Sequence, residues 1–252
     1  MKILDFVREM KERATRTLLE VSGTGKCVEK TYTFQDGHAD ITTIRGGAIE
    51  KAAITHLQLD GVMPPNAEEK VYAMVYQMEI FPENPFCPMG HFNTEWSMSG
   101  QRLYHMNLDM FPAVRIEEDV QKLKHTMDRV ADKFGRDRDK MREGLDIHYN
   151  MEHWAYPLAS KVGCKLLRLT EEDLELFIEA YHTFFNGYLD ILKKRKDTRF
   201  TDADVQLKRE RNGKWLEYIT LKDKAIKMAQ AAGIPHEVLI SLSYPPSAVF
   251  LE

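Results

Sequence analysis

Apolar residues fall at Ile3, Phe6, Val7, Met10, Ala14, Leu18 and Leu19, and this spacing of three to four predicts an amphipathic helix over the first twenty residues. The period then drops towards two. Residues 26–34 run to a turn at Asp36-Gly37 and residues 39–44 leave it, the pattern of a β-hairpin. Residues 48–59 form a further extended segment, closed by Gly61 and the breaker Pro64-Pro65. Residues 71–81 alternate apolar with polar, and three prolines mark 82–90 as a loop. Residues 91–98 and 102–109 flank a tight turn at Ser99-Gly100. Six strand candidates in succession, with no helix between them, predict an antiparallel sheet.

The second half returns to helical spacing. Residues 116–134 form a strongly periodic helix stopped by Gly135, and 137–154 read as a second helix. Residues 165–169 make a short apolar strand. Thr170-Glu171-Glu172-Asp173 starts a helix that runs to about Lys194, because Thr caps and the acidic side chains suit the positive end of the dipole. Residues 214–221 look extended and 222–232 helical, with Gly233 as a C-cap before Pro235 opens another helix. No linker, repeat or biased tract divides the chain, so residues 1–252 are expected to form one α+β domain.

Composition narrows the function class. Thirty-five Lys and Arg against thirty-nine Asp and Glu leave a formal charge of −4, without the basic excess of a nucleic-acid or membrane-surface binder. The N-terminus is charged throughout and reads as no signal peptide, and no stretch is long and apolar enough to span a bilayer. Cys27, Cys87 and Cys164 are odd in number and far apart, the usage of reduced thiols in a cytoplasmic protein.

Alternation puts His91, Asn93 and Glu95 on one face of their strand, and His105, Asn107 and Asp109 on one face of the next. The other face carries Phe92, Trp96, Met98, Met106 and Leu108 and supplies a core. Six proton-handling side chains on neighbouring strands line either a solvated surface or a cavity. Asp223-Lys224 opens a helical stretch, where a carboxylate could meet N–H donors and an ammonium could pair with a carboxylate; a plain cap and a solvated charge is the other reading. His148, Glu152 and His153 are not a metal motif, because residues five apart diverge by about 140° around a helix. Nucleotide-binding glycine loops and a GxSxG elbow are absent.

The motifs resemble those of the oxygen-dependent coproporphyrinogen III oxidases. Residues 47–54, GAIEKAAI, are similar to that family's VFEKAGV segment, and residues 84–93, NPFCPMGHFN, to its NPxxPTxHxN signature. Residues 108–112 stand where it has DLTP, residues 214–218 with Asp223-Lys224 where it has GRYVEFNL and YDRG, and Tyr244-Pro245-Pro246 where it has MSxPP. The resemblance implies a large antiparallel β-sheet flanked by helices on both faces, an α/β/α sandwich that assembles as a homodimer. It implies a tetrapyrrole substrate and oxidative decarboxylation of propionates to vinyls. Molecular oxygen is then the oxidant, with no metal and no organic cofactor. It also implies His91, Asp223 and Asp109 as catalytic residues. Asn93, Lys224, Glu95, His105, Asn107 and His153 are then substrate-binding candidates.

Several arginines of the family pattern are missing. Glu95 stands in place of the arginine after HxN, Lys224 in place of the one beside the aspartate, and the HR pair reads His153-Trp154. The tryptophan- and glycine-rich run before DLTP is absent, and Leu166-Leu167-Arg168-Leu169 replaces FDDL. Bidentate arginines are natural clamps for carboxylates, so these losses point to a ligand with fewer or differently placed carboxylates. Phe81-Pro82 and Asp223-Lys224 are also similar to the ferredoxin-dependent bilin reductases, which share the fold. That resemblance implies a reductase acting on biliverdin with reduced ferredoxin as donor. A non-catalytic haem or bilin carrier is a third reading.

Overall fold

The computed structural model describes residues 2–62, 70–97 and 102–250. Helix α1 (Ile3–Ser22) precedes six strands: β1 (Lys26–Phe34), β2 (Gly37–Gly46), β3 (Ile49–Val62), β4 (Val71–Pro82), β5 (Met89–Ser97) and β6 (Leu103–Phe111). Helix α2 (Glu117–Lys133), a single turn α3 (Leu145–His148), strand β7 (Cys164–Leu169) and helix α4 (Leu174–Arg195) follow. The chain closes with α5 (Asp202–Leu221), α6 (Lys224–Ala231) and α7 (His236–Ser243). All seven strands pair antiparallel in sequence order, a meander. The expected breaker Pro64-Pro65, the turn at Ser99-Gly100 and Met98 lie outside the described residues.

The pleat sorts the sheet into two chemistries. Even-numbered residues such as Tyr76, Met78, Phe92, Trp96, Tyr104 and Met106 are buried under α1, α2 and α4. Phe92 sits at the centre of an aromatic cluster on α4, with ring centroids 5.1 Å from Phe184 and 5.5 Å from Tyr188. Odd-numbered residues face α5, α6 and α7, where Phe81, Met89 and Phe111 pack against Trp215 and Tyr218, and Ala39, Ile41 and Ala53 against Val238 and Leu242. The predicted α+β architecture, with helices on both faces, is therefore observed.

Two segments differ from expectation. Residues 137–154 are not one helix. A 3-10 turn at Lys140–Arg142 gives way to Gly144, whose φ of 78° is open to glycine and strained for other residues, and irregular chain follows α3. Residues 214–221 are not extended but are the C-terminal turns of α5. Thr201 and Asp204 form a capping box at its start. The helix buries polar groups along with Trp215: the Lys208 ammonium donates to Glu50 and to the carbonyls of Pro82 and Glu83, and Asn212 donates to the carbonyl of Ser247. An apolar stripe that signals a helix is thus absent from its sequence.

Candidate functional site

At the β4–β5–β6 end of the sheet the odd-numbered face turns polar. Cross-strand register sets Gln77 opposite Asn93 and Glu79 opposite His91, then His91 opposite Asp109, Asn93 opposite Asn107 and Glu95 opposite His105. A cavity of about 510 Å³ opens over this patch, within the size range of small-molecule sites. Its floor is Gln77, His91, Asn93, Glu95 and Asn107. Its roof is His148 and Tyr149 after the Gly144 break, Trp215 and Tyr218 from α5, and Asp223 and Lys224 at the start of α6; Lys165 of β7 and Lys222 complete the wall.

His91 is held on every side. Its Nδ1 lies 2.7 Å from Oε1 of fully buried Glu79. Gln77 Nε2 donates to the same oxygen at 2.8 Å, so Oε1 is the acceptor and Nδ1 carries the proton. With Nδ1 committed to Glu79, Nε2 is the nitrogen left for the cavity. The ring stacks on Phe111 and contacts Tyr149 and Trp215.

Asp223 is the N-cap of α6: its Oδ1 accepts from the amides of Ala225 at 2.7 Å and Ile226 at 3.3 Å, leaving Oδ2 for the cavity. Burial raises the Asp223 carboxyl above the ordinary aspartate value, and the two amides and the His91 imidazole pull it partly back. Across the roof, His148 Nε2 lies 3.1 Å from the Tyr218 hydroxyl. Burial first, then Lys165, His91 and Lys222, lower His148 to about 4, so it is a neutral imidazole near pH 7. Burial holds the Tyr149 and Tyr218 phenols protonated. Among the described residues, Asn93 Oδ1 and Asn107 Oδ1, both from side chains lining the cavity, are buried acceptors with no protein donor.

Of the residues expected from sequence, His91, Asn93, Glu95, Asn107, Asp223 and Lys224 meet at this cavity. Three do not. His105 pairs with Glu95 across the strands, but its Nδ1 accepts from the Arg168 amide at 3.3 Å and it does not line the cavity. His153 is largely exposed, with its Nε2 2.6 Å from the Glu217 carboxylate. Asp109 shares the polar face but is covered by residues 161–163, whose three amides donate to it at 2.9, 3.2 and 3.4 Å. Gly163 is required there because a Cβ would sit 1.9 Å from the Leu108 carbonyl oxygen. Asp109 thus acts as a clasp. Asp109→Ala is expected to strand those amides and cost about 3 kcal/mol, or roughly 6–12 °C in thermal melting, with kcat of the folded fraction within about threefold. Unchanged melting with a large loss of kcat would return Asp109 to the chemistry.

Sequence reasoning missed Gln77, Glu79, His148, Tyr149, Lys165, Trp215, Tyr218 and Lys222. The alternation of Gln77 and Glu79 on the strand before Phe81-Pro82 was a usable signal. Trp215 and Tyr218 fall in the 214–218 segment that resembles a family motif but was expected to be extended, whereas His148 and Tyr149 had no signal, since the turns that place them are tertiary features. Among the described residues no group of three or more His, Cys, Asp or Glu side chains is arranged to hold a metal ion, and no helix is long and apolar enough to cross a membrane.

Comparison with known proteins shows the family of the chain. Residues 2–251 match the family described as coproporphyrinogen III oxidase. The chain is 23% identical over 269 residues to oxygen-dependent coproporphyrinogen-III oxidase, chloroplastic, of Glycine max, an alignment covering 94% of this chain and 70% of the relative. It is 22% identical to coproporphyrinogen-III oxidase 1, chloroplastic, of Arabidopsis thaliana, covering 94% and 69%. Both relatives are named as oxidases, and neither name points to a bilin reductase or a carrier.

Proposed function

The chain belongs to the coproporphyrinogen III oxidase family, and on that premise we propose that it is an oxidoreductase converting propionate side chains of a tetrapyrrole to vinyl groups in the polar cavity. The observation that carries this reading is the set of acceptor-bearing side chains lining one cavity: Asn93, Asn107 and Asp223, whose Oδ1 alone takes the two amides of α6. Pyrrole N–H groups are donors in need of such acceptors, and a porphyrinogen presents them at its centre.

In this reading Asp223 takes a pyrrole N–H proton, a role suited to a carboxylate whose proton affinity burial has increased. His91 carries a proton through Nε2, with Glu79 holding its tautomer. Lys165, Lys222 and Lys224 pair with propionates. Molecular oxygen is the oxidant, and no metal or organic cofactor takes part. Each propionate plus one dioxygen and one proton gives a vinyl, one carbon dioxide and one hydrogen peroxide. The carboxylate carbon leaves as carbon dioxide, and the electron pair lost with the side-chain hydrogen reduces dioxygen.

The proposed working form is a homodimer in the cytoplasm, in keeping with the family resemblance and with three cysteines present as free thiols. Purified protein supplied in air with coproporphyrinogen III should consume dioxygen and return a vinyl-bearing product. Porphyrinogen recovered unchanged would sink the proposal.

A further inference from the structure

A compartment of about 100 Å³ lies between β3, β4 and helices α6 and α7, separated from the polar cavity by a common wall. Gln77, Asn93, Glu95, Ala225 and Ile226 form that wall, each lining both spaces. Most of the remaining lining is aliphatic, with Leu57, Leu59, Val75, Val238 and Leu242 among it. Among the described residues no lysine, arginine or histidine lines the compartment. Cavities lined by such side chains stay dry, and one of about 150 Å³ holds xenon. Met228 lines the compartment and is 40% exposed, which puts a flexible thioether between it and solvent.

The chemistry proposed for the polar cavity needs two reactants in one place. A pocket covers most of the surface of the ligand it holds, so a seated tetrapyrrole closes the direct approach to Asp223. Dioxygen still has to arrive. It is a neutral, apolar diatomic and gains from leaving water for aliphatic surroundings. Along the aliphatic walls a water molecule finds too few partners to compete. The common wall needs no standing opening for so small a molecule. Side chains in packed interiors still hop between rotamers, and a diatomic needs only the brief gap that such a hop makes. The wall also reaches the reacting end of the cavity, because Ala225 and Ile226 supply the two amides that hold Asp223 Oδ1.

We propose that the aliphatic compartment is a dioxygen site, filled past Met228 and emptied across the wall into the polar cavity while the tetrapyrrole is bound. The proposal rests on the oxidase reading of that cavity and adds the route of its second reactant.

Dioxygen is paramagnetic and broadens the methyl resonances beside it, so ¹³C-methyl spectra under dioxygen pressure read the site directly, with no substrate present. The methyls of Leu57, Val75, Val238 and Leu242 should broaden more than those of Leu176 and Leu192 in the core on the other face of the sheet. Ala229→Leu, with Ala232→Leu as a second filling variant, should abolish the excess broadening. In turnover both variants should raise the dioxygen concentration for half-maximal rate roughly tenfold, the worth of a methylene or more in an apolar pocket. Coproporphyrin binding, read by the Soret band, should stay unchanged. Wild-type methyls that broaden no more at the compartment than in the core, or a dioxygen requirement that neither variant moves, overturn the dioxygen site and leave the tetrapyrrole reaction standing. Wild-type protein that takes up no dioxygen with coproporphyrinogen III overturns the oxidase reading and the dioxygen site with it.

Discussion

Asp223→Asn is expected to lower kcat for porphyrinogen oxidation by about 10²–10⁴-fold, the range that a positioned acid or base contributes. The substitution isolates chemistry from folding. Asparagine is as good an N-cap as aspartate, so the bonds to the amides of Ala225 and Ile226 survive and α6 keeps its start. What disappears is the proton acceptor facing the cavity. Thermal melting should change little, and porphyrin binding should persist. The wild-type pH profile carries the same signature. A base works only when deprotonated, and burial has raised this carboxyl, so activity should begin to fall with decreasing pH well before the ordinary aspartate value of about 4. That acid limb should be absent from the residual activity of the variant. A variant retaining wild-type kcat would remove Asp223 from the mechanism.

Glu79→Leu is expected to cost about 10²-fold in kcat, although Glu79 touches no substrate. Among the described residues the Glu79 carboxylate is the hydrogen-bond partner of His91 Nδ1, and it receives Gln77 as well. Leucine fills the space but leaves the imidazole without its orienting acceptor. The proton then redistributes between the ring nitrogens, and the lone pair is no longer reserved for the cavity. Imidazole ¹⁵N spectra report this directly: wild-type His91 should be protonated at Nδ1, the variant at Nε2 in substantial part. Glu79→Gln, which retains an oxygen able to accept from Nδ1, should recover part of the activity and the wild-type tautomer. A Glu79→Leu variant with reduced activity and an unaltered His91 spectrum would make Glu79 a purely structural residue.

Much of this was legible in the sequence where one physical rule governs one element. The period-two alternation across 91–98 and 102–109 placed His91, Asn93, Glu95 and Asn107 on one face, because strand geometry leaves no other arrangement. Asp223 ahead of a helical stretch was legible as a cap for the same local reason. Legibility failed where tertiary contacts decide. Residues 214–221 contain Trp215, Tyr218, Ile219 and Thr220, a strand-like composition. They are helical because the capping box at Thr201 starts the helix and because buried Lys208 and Asn212 find carbonyls on other elements. Alternation also gave Asp109 the correct face without showing what covers it; residues 161–163 convert it from a cavity residue into a clasp. His148 and Tyr149 reach the roof only because Gly144 interrupts the chain just before them.

The central claim is that the cavity under Asp223 oxidises a porphyrinogen side chain at the expense of dioxygen. The most direct test is the stoichiometry of a single reaction: coproporphyrinogen III labelled with ¹³C in its propionate carboxyls, with labelled carbon dioxide and dioxygen uptake measured in the same vessel. With the wild-type protein one labelled carbon dioxide is expected for each dioxygen consumed, and with Asp223→Asn neither rises above background. Dioxygen uptake without labelled carbon dioxide, or equal release by the wild-type protein and Asp223→Asn, would contradict it.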